Sequence, residues 1–140
     1  MRYLIDTNIF IFISTDIDYL DRNVTAIVQD VSNSLCISVE SVRELIVWYR
    51  NKSIARKQWK TCADLVNSIE SEFNIKILPL KKEHMETYSK LTINEMEGHK
   101  DPSDHVIISH ALTERLPLIS SDRRFPFYVK QGLDLIFNER

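Results

Sequence analysis

Glycine is nearly missing: Gly98 and Gly132 are the only two in 140 residues. A loop that cradles a nucleotide phosphate needs several glycines in a short run, so Walker and Rossmann chemistry are excluded. Cysteine is as scarce, with Cys36 and Cys62 alone. Two thiols in apolar or helical settings make neither a disulfide framework nor a zinc site, and they read as reduced thiols of a cytoplasmic protein. Long apolar runs are absent too. Ile9–Ile13 is the most hydrophobic stretch, far short of the roughly 20 residues that span a bilayer. It reads as a buried helix or a subunit contact, and no membrane role is expected. Asp6 interrupts the apolar start, which argues against a signal peptide. The net charge of -2 offers no global attraction to nucleic acid.

What is present suits a compact fold. Apolar residues make up 44% of the chain, and its length fits one domain over residues 1–140, since domains commonly run to about 100–150 residues. Tyr3–Ile5 reads as a buried strand followed by a helix from about Asn8. After a polar connection from Asp16 to Asp21, Val24, Ile27, Val28 and Val31 recur at helical spacing. Leu35–Ile37 is strand-like, and Ser38 is placed to cap a helix carrying Val42, Leu45, Ile46 and Tyr49. A second, basic helix is expected from Ile54 to Phe73, then a strand at Ile75–Leu78 and a helix from Lys82 to Ile93. Asp101-Pro102 opens another helix, with Asp101 as its cap. Leu118–Ser120 and Leu133–Phe137 are the last strands. Strands alternating with helices predict an α/β fold with a mainly parallel sheet covered on both faces.

Four acids fall at the corners of this pattern. Asp6 ends the first strand, Glu44 lies inside the helix after the second, Asp104 sits in the first turn after Pro102, and Asp122 follows Leu118–Ser120. Each has an ordinary explanation. Asp6 could cap a helix, although Thr7 or Asn8 could do so instead; Asp104 could answer a helix dipole; Asp122 could form a turn. Glu40, one helical turn before Glu44, reads as a solvated surface residue, whereas Glu44 abuts the apolar stripe. The coincidence at four strand-to-helix corners is what points to function, because the carboxyl ends of parallel strands line the ligand crevice. Pooled carboxylates repel one another, and a hard divalent cation, Mg²⁺ or Mn²⁺, as one ion or two, relieves the repulsion. Such ions neutralise a phosphodiester and lower the pKa of bound water. Histidine is a weaker lead: His105 and His110 do not share a helical face with each other.

Four segments in order make the pattern specific: Leu4-Ile5-Asp6-Thr7-Asn8; Ile37-Ser38 with Ser41 and Glu44-Leu45; His99-Lys100-Asp101-Pro102 with Asp104, Ile107-Ile108 and Ala111; and Leu118-Ile119-Ser120 with Asp122 and Phe125. Together they span nearly the whole chain and resemble PIN-domain proteins, most of all the VapC-type toxins of toxin–antitoxin pairs. The resemblance implies a three-layer α/β/α fold and a metal-dependent endoribonuclease whose acids are Asp6, Glu44, Asp104 and Asp122. Asn8, Ser120 and Asp101 are the supporting residues, Ser120 matching a hydroxyl position where Thr is commoner. It further implies a homodimer restrained by a small antitoxin. Ser103 and His105 depart from the usual residues around the third acid, which bears on substrate preference.

A basic stretch gives RNA a place to lie. Arg43, Arg50, Arg56, Lys57 and Lys60 are interleaved with Trp48, Tyr49 and Trp59, and Arg123 and Arg124 flank Asp122. Cations contact phosphates and aromatic rings stack on unpaired bases. The alternative is a solvated basic surface whose tryptophans pack into the core. Two other functional classes are weighed. An aspartyl phosphatase needs an acid two residues after Asp6, where Asn8 stands. A catalytically dead RNA- or protein-binding scaffold, or a PIN nuclease outside any toxin pair, is the remaining option.

Overall fold

The computed structural model describes residues 1–139. Its strands are β1 (Arg2–Ile5), β2 (Ser34–Ser38), β3 (Lys76–Leu78), β4 (Leu118–Ser120) and β5 (Leu135–Phe137). The α-helices are α1 (Thr7–Thr15), α2 (Arg22–Gln29), α3 (Val39–Arg50), α4 (Cys62–Ser71), α5 (Lys82–Lys90) and α6 (Pro102–Glu114), with 3-10 turns at Ile17–Tyr19 and Phe125–Gln131. All strand pairings are parallel, in the order β3-β2-β1-β4-β5. The expected mainly parallel sheet is therefore wholly parallel.

Period-two alternation sorts the core into two layers. Tyr3, Ile5, Ile37 and Ile119 face Ile9 and Phe10 of α1, Val24 of α2, Leu45 of α3, and Leu65 and Ile69 of α4. Leu4, Cys36 and Leu118 face the opposite way, against Ile107, Ile108 and Ala111 of α6 and against Phe125 and Tyr128. Strands covered on both faces have to be apolar throughout, which is why Leu4-Ile5 and Leu118-Ile119 read as continuous runs. Cys36 and Cys62 are both free thiols. Among the described residues no helix is long and apolar enough to cross a membrane.

Local chemistry departs from the periodic reading in several places: the helix expected to reach Ile93 ends at Lys90, and the last strand begins at Leu135 rather than Leu133. The helix expected over Ile54–Phe73 exists only from Cys62 to Ser71. Lys52, with φ of 66°, ends the run of α3, and a capping box between Thr61 and Asp64 starts α4. The intervening loop imitates helical spacing because Trp59 plunges from it into the core, where it stacks on Phe10. Val31 lies beyond the end of α2 and is fully exposed, not part of an apolar face.

The sheet order puts the site in place. From β1 the chain moves to β2 and β3 on one side, then crosses to β4 and β5 on the other. The gap at the carboxyl ends of β1 and β4 is such a reversal point, where open parallel sheets bind ligands.

Candidate active site

Asp6 leaves β1 at this reversal point and is 4% exposed. Its Oδ1 accepts the Thr7 N–H at 2.8 Å, so of the three candidates Asp6, Thr7 and Asn8 it is Asp6 that caps α1. Its Oδ2 accepts the Ser120 hydroxyl, also at 2.8 Å, which joins the end of β1 to the end of β4.

Glu44 comes from the second turn of α3. Its Oε1 accepts the Thr7 hydroxyl at 2.6 Å, and Ser41 Oγ lies 2.8 Å from the same hydroxyl. Ser38 caps α3 as expected, its hydroxyl accepting the Glu40 N–H. Glu40 is not the solvated residue its charged context suggested. Its side chain is only 13% exposed, accepting from Ser103 Oγ at 2.7 Å and from Arg43. It ties the starts of α3 and α6 together beside the site.

Asp101 caps α6 by accepting the Ser103 N–H, and Pro102 takes the first helical position. Asp104, in the first turn, is buried, and its Oδ2 lies 2.9 Å from His99 Nε2. Asp122 follows β4 and is gripped by Arg124, whose N–H, Nε and Nη2 donate at 2.9, 3.0 and 2.8 Å. Arg124 Nη2 also stands 3.7 Å from Asp104 Oδ2.

These residues line one cleft of about 120 Å³, formed by Asp6, Thr7, Asn8, Glu44, Trp48, Asp101, Asp104, Asp122 and Arg124. Ligand atoms of Glu44, Asp101 and Asp104 come within 4.8 Å of one another, as do those of His99, Asp104 and Asp122. The crowding is expressed in the acidities. Burial pushes Asp104 up to about 8, with repulsion from Asp6, Asp101 and Asp122 adding to it. Burial likewise raises Asp6 to about 7 against the Ser120 and Thr7 hydrogen bonds. Glu44 is raised by burial, opposed by Thr7. Asp122 differs: burial pushes it up, but its hydrogen bonds from Arg124 and that residue's charge together hold it below the usual carboxylate range. A concave set of carboxylate oxygens with one guanidinium suits a hard divalent cation, which takes oxygen ligands and relieves the repulsion.

The basic residues are dispersed. Arg43, Arg50, Lys57, Lys60 and Arg123 are exposed. Arg56 is not free: it pairs with Glu72 at 2.8 Å through Nη1 and lies over the Trp59 and Phe73 rings. Trp59 is 4% exposed and donates to Ser68 Oγ, so it belongs to the core. Trp48 alone of the tryptophans reaches the cleft.

Two participants escaped the sequence reading. Thr7 reads only as an alternative helix cap, yet its hydroxyl is the bridge to Glu44. His99 stands in the third of the four matched segments with no role attached to it, yet it is fully buried against Asp104, five residues further on. Burial and the neighbouring His105 hold His99 below the usual imidazole range. A separate group, His84, His110 and Glu114, also brings its ligand atoms within 4.8 Å. There the Lys81 N–H donates to His84 Nδ1, so Nε2 carries the hydrogen and donates to Glu114 Oε2 at 2.7 Å. A metal would need the lone pair of that nitrogen, so the contact bridges α5 and α6 instead.

The fold has close counterparts among solved structures. VapBC2 from Rickettsia felis, bound to a DNA fragment from its promoter, matches with a TM-score of 0.72 at 19% identity, covering 99% of this chain and 100% of that one. DNA-bound VapBC from Salmonella typhimurium gives 0.69 at 18%, with 98% of each chain covered. FitAcB from Neisseria gonorrhoeae gives 0.62 at 21%, covering 99% and 97%. No curated protein sequence matches significantly. The sequence profile of the PIN domain matches residues 3–130, and with a wholly parallel sheet that gathers its acids at the β1/β4 reversal point, the chain belongs to the PIN-domain family.

Proposed function

We propose that this protein is an endoribonuclease that hydrolyses RNA phosphodiester bonds with the help of Mg²⁺ or Mn²⁺, one ion or two, held by Asp6, Glu44, Asp104 and Asp122. The observation that carries this reading is the convergence of those four carboxylates in one cleft. An ion bound there would neutralise the phosphate and lower the pKa of an attacking water. The chain's own residues prepare the place for it. Ser120 and Thr7 N–H orient the two oxygens of Asp6, and the Thr7 hydroxyl orients Glu44. Arg124 offsets the charge of Asp122 at the cleft wall, where it can also meet a phosphate oxygen. Trp48 offers a ring at the same cleft on which an unpaired base can stack. Arg43 and Arg50 on α3, and Lys57, Lys60 and Arg123 beyond it, supply exposed cations for the strand, whereas Arg56 serves the fold.

The matched structures are complexes named VapBC and FitAcB. On that basis the protein is proposed as the toxin of a two-component pair, cytoplasmic and homodimeric, silenced by a small antitoxin. Incubating the purified chain with RNA, with Mg²⁺ and then with excess chelator, tests the activity. Internal cleavage that chelator abolishes supports it, and no cleavage under either condition refutes it. Co-expression with the neighbouring reading frame, followed by co-purification, tests the pairing.

A further inference from the structure

We infer that His99 is a positioning residue for this site, fixing Asp104 in the orientation that metal binding requires; the inference rests on the metal-nuclease reading above. The case comes from a chain of hydrogen bonds whose direction can be followed atom by atom. The Asn94 N–H donates to Tyr128 Oη at 3.1 Å. Tyr128 is fully buried, and among the described residues the acceptor placed to receive its own hydroxyl hydrogen is His99 Nδ1, 2.9 Å away. With Nδ1 accepting, the hydrogen of a neutral imidazole sits on Nε2. That nitrogen faces Asp104 Oδ2 at 2.9 Å and donates to it.

The backbone of one loop thus dictates a tautomer, and the tautomer dictates how a carboxylate is held. One oxygen of Asp104 is engaged by His99 and the other is left for a cation. A group that hydrogen-bonds a ligating carboxylate orients it and sharpens affinity. The surroundings leave His99 little freedom. Its ring is fully buried, packed against His105 at 4.7 Å and Phe125 at 5.7 Å, and its carbonyl oxygen lies 3.0 Å from His105 Nε2. Asn94 also donates through Nδ2 to the Arg124 carbonyl at 3.2 Å, so the same loop braces the segment carrying Asp122. A histidine present only to fill space would not need both nitrogens aligned between a tyrosine and a carboxylate.

The test has a spectroscopic arm and a binding arm. Long-range ¹H–¹⁵N correlation spectra of the metal-free protein should show His99 as the Nε2–H tautomer, and Tyr128→Phe should introduce the Nδ1–H form. A predominant Nδ1–H tautomer in the wild type would overturn the inference without reference to any variant. In calorimetric titration with Mn²⁺, His99→Leu should weaken binding by roughly ten- to a hundredfold. His99→Gln, which can still donate from a terminal amide nitrogen, should recover most of the loss. Equal Mn²⁺ affinity in wild type and His99→Leu would refute the role of His99 alone. Absence of Mn²⁺ binding by the wild type would refute the metal site and this inference together.

Discussion

Asp6 and Ser120 are separated by 114 positions in sequence and joined by a 2.8 Å hydrogen bond at the reversal point of the sheet. Ser120 is fully buried and also accepts the Asp122 N–H through the same hydroxyl, so one side chain sets two acids. Ser120→Ala should raise the pKa of Asp6 further and weaken Mn²⁺ binding at neutral pH by roughly tenfold. Ser120→Thr, which keeps the hydroxyl, should bind within a few-fold of wild type. Calorimetry on the two variants checks this, and equal losses in both would contradict it.

The raised acids should leave a mark on stability. Asp6 is pushed up to about 7 and Asp104 to about 8, whereas both titrate near about 4 in an unfolded chain. Between those limits the folded state holds more protons than the unfolded state, so the free energy of unfolding falls as pH rises. In chelator, Tm should decline from about pH 5 to about pH 8, the reverse of what a salt-bridged aspartate gives. Asp6→Asn should flatten the decline, and saturating Mg²⁺ should reduce it. A decline as steep in Asp6→Asn as in wild type would show that this carboxylate is not strained.

Glu44 and Glu40 share a face of α3 but have different work. Glu44→Gln removes a carboxylate from the cleft and should abolish most RNA cleavage. Glu40→Gln keeps an oxygen that can accept from Ser103 and weakens only the pair with the exposed Arg43 guanidinium, worth about 1 kcal/mol or less, so it should change the rate by no more than about fivefold. Cleavage assays that rank the two the other way would move the reactive centre one turn toward the start of α3.

The loop between α3 and α4 separates folding from binding. Trp59→Ala should cost about 3–5 kcal/mol in denaturant unfolding, as for other buried aromatic truncations. Lys57→Ala with Lys60→Ala should leave stability alone but shallow the salt dependence of RNA binding, by roughly 0.7 per lost contact to a single strand. An unchanged slope would shift the RNA path toward Arg43, Arg50 and Arg123.

Much of this architecture is legible in the sequence because burial on both faces forces short apolar strands, and because acids at strand ends are conspicuous beside them. Ser38 and Asp101 announce α3 and α6 by capping chemistry alone. The loop from Asn51 to Thr61 misleads because a buried residue in a loop is indistinguishable in one dimension from one on a helix face. Glu40 misleads because its partner Ser103 is 63 residues away. Thr7 and His99 are hidden for the same reason: a hydroxyl or an imidazole becomes informative only when its hydrogen-bond partner is known. Asp6 shows the opposite case, since capping α1 and joining the acid cluster use different oxygens and do not exclude each other.

The most direct test of the central claim is the rate of RNA cleavage by Asp104→Asn at saturating Mg²⁺, measured beside wild type on samples whose circular dichroism confirms the same fold. Asparagine keeps the shape and the oxygen that accepts from His99 but removes the charge. Cleavage should fall to the level seen for wild type in chelator. Cleavage at the wild-type rate would mean that the four acids are not the reacting centre.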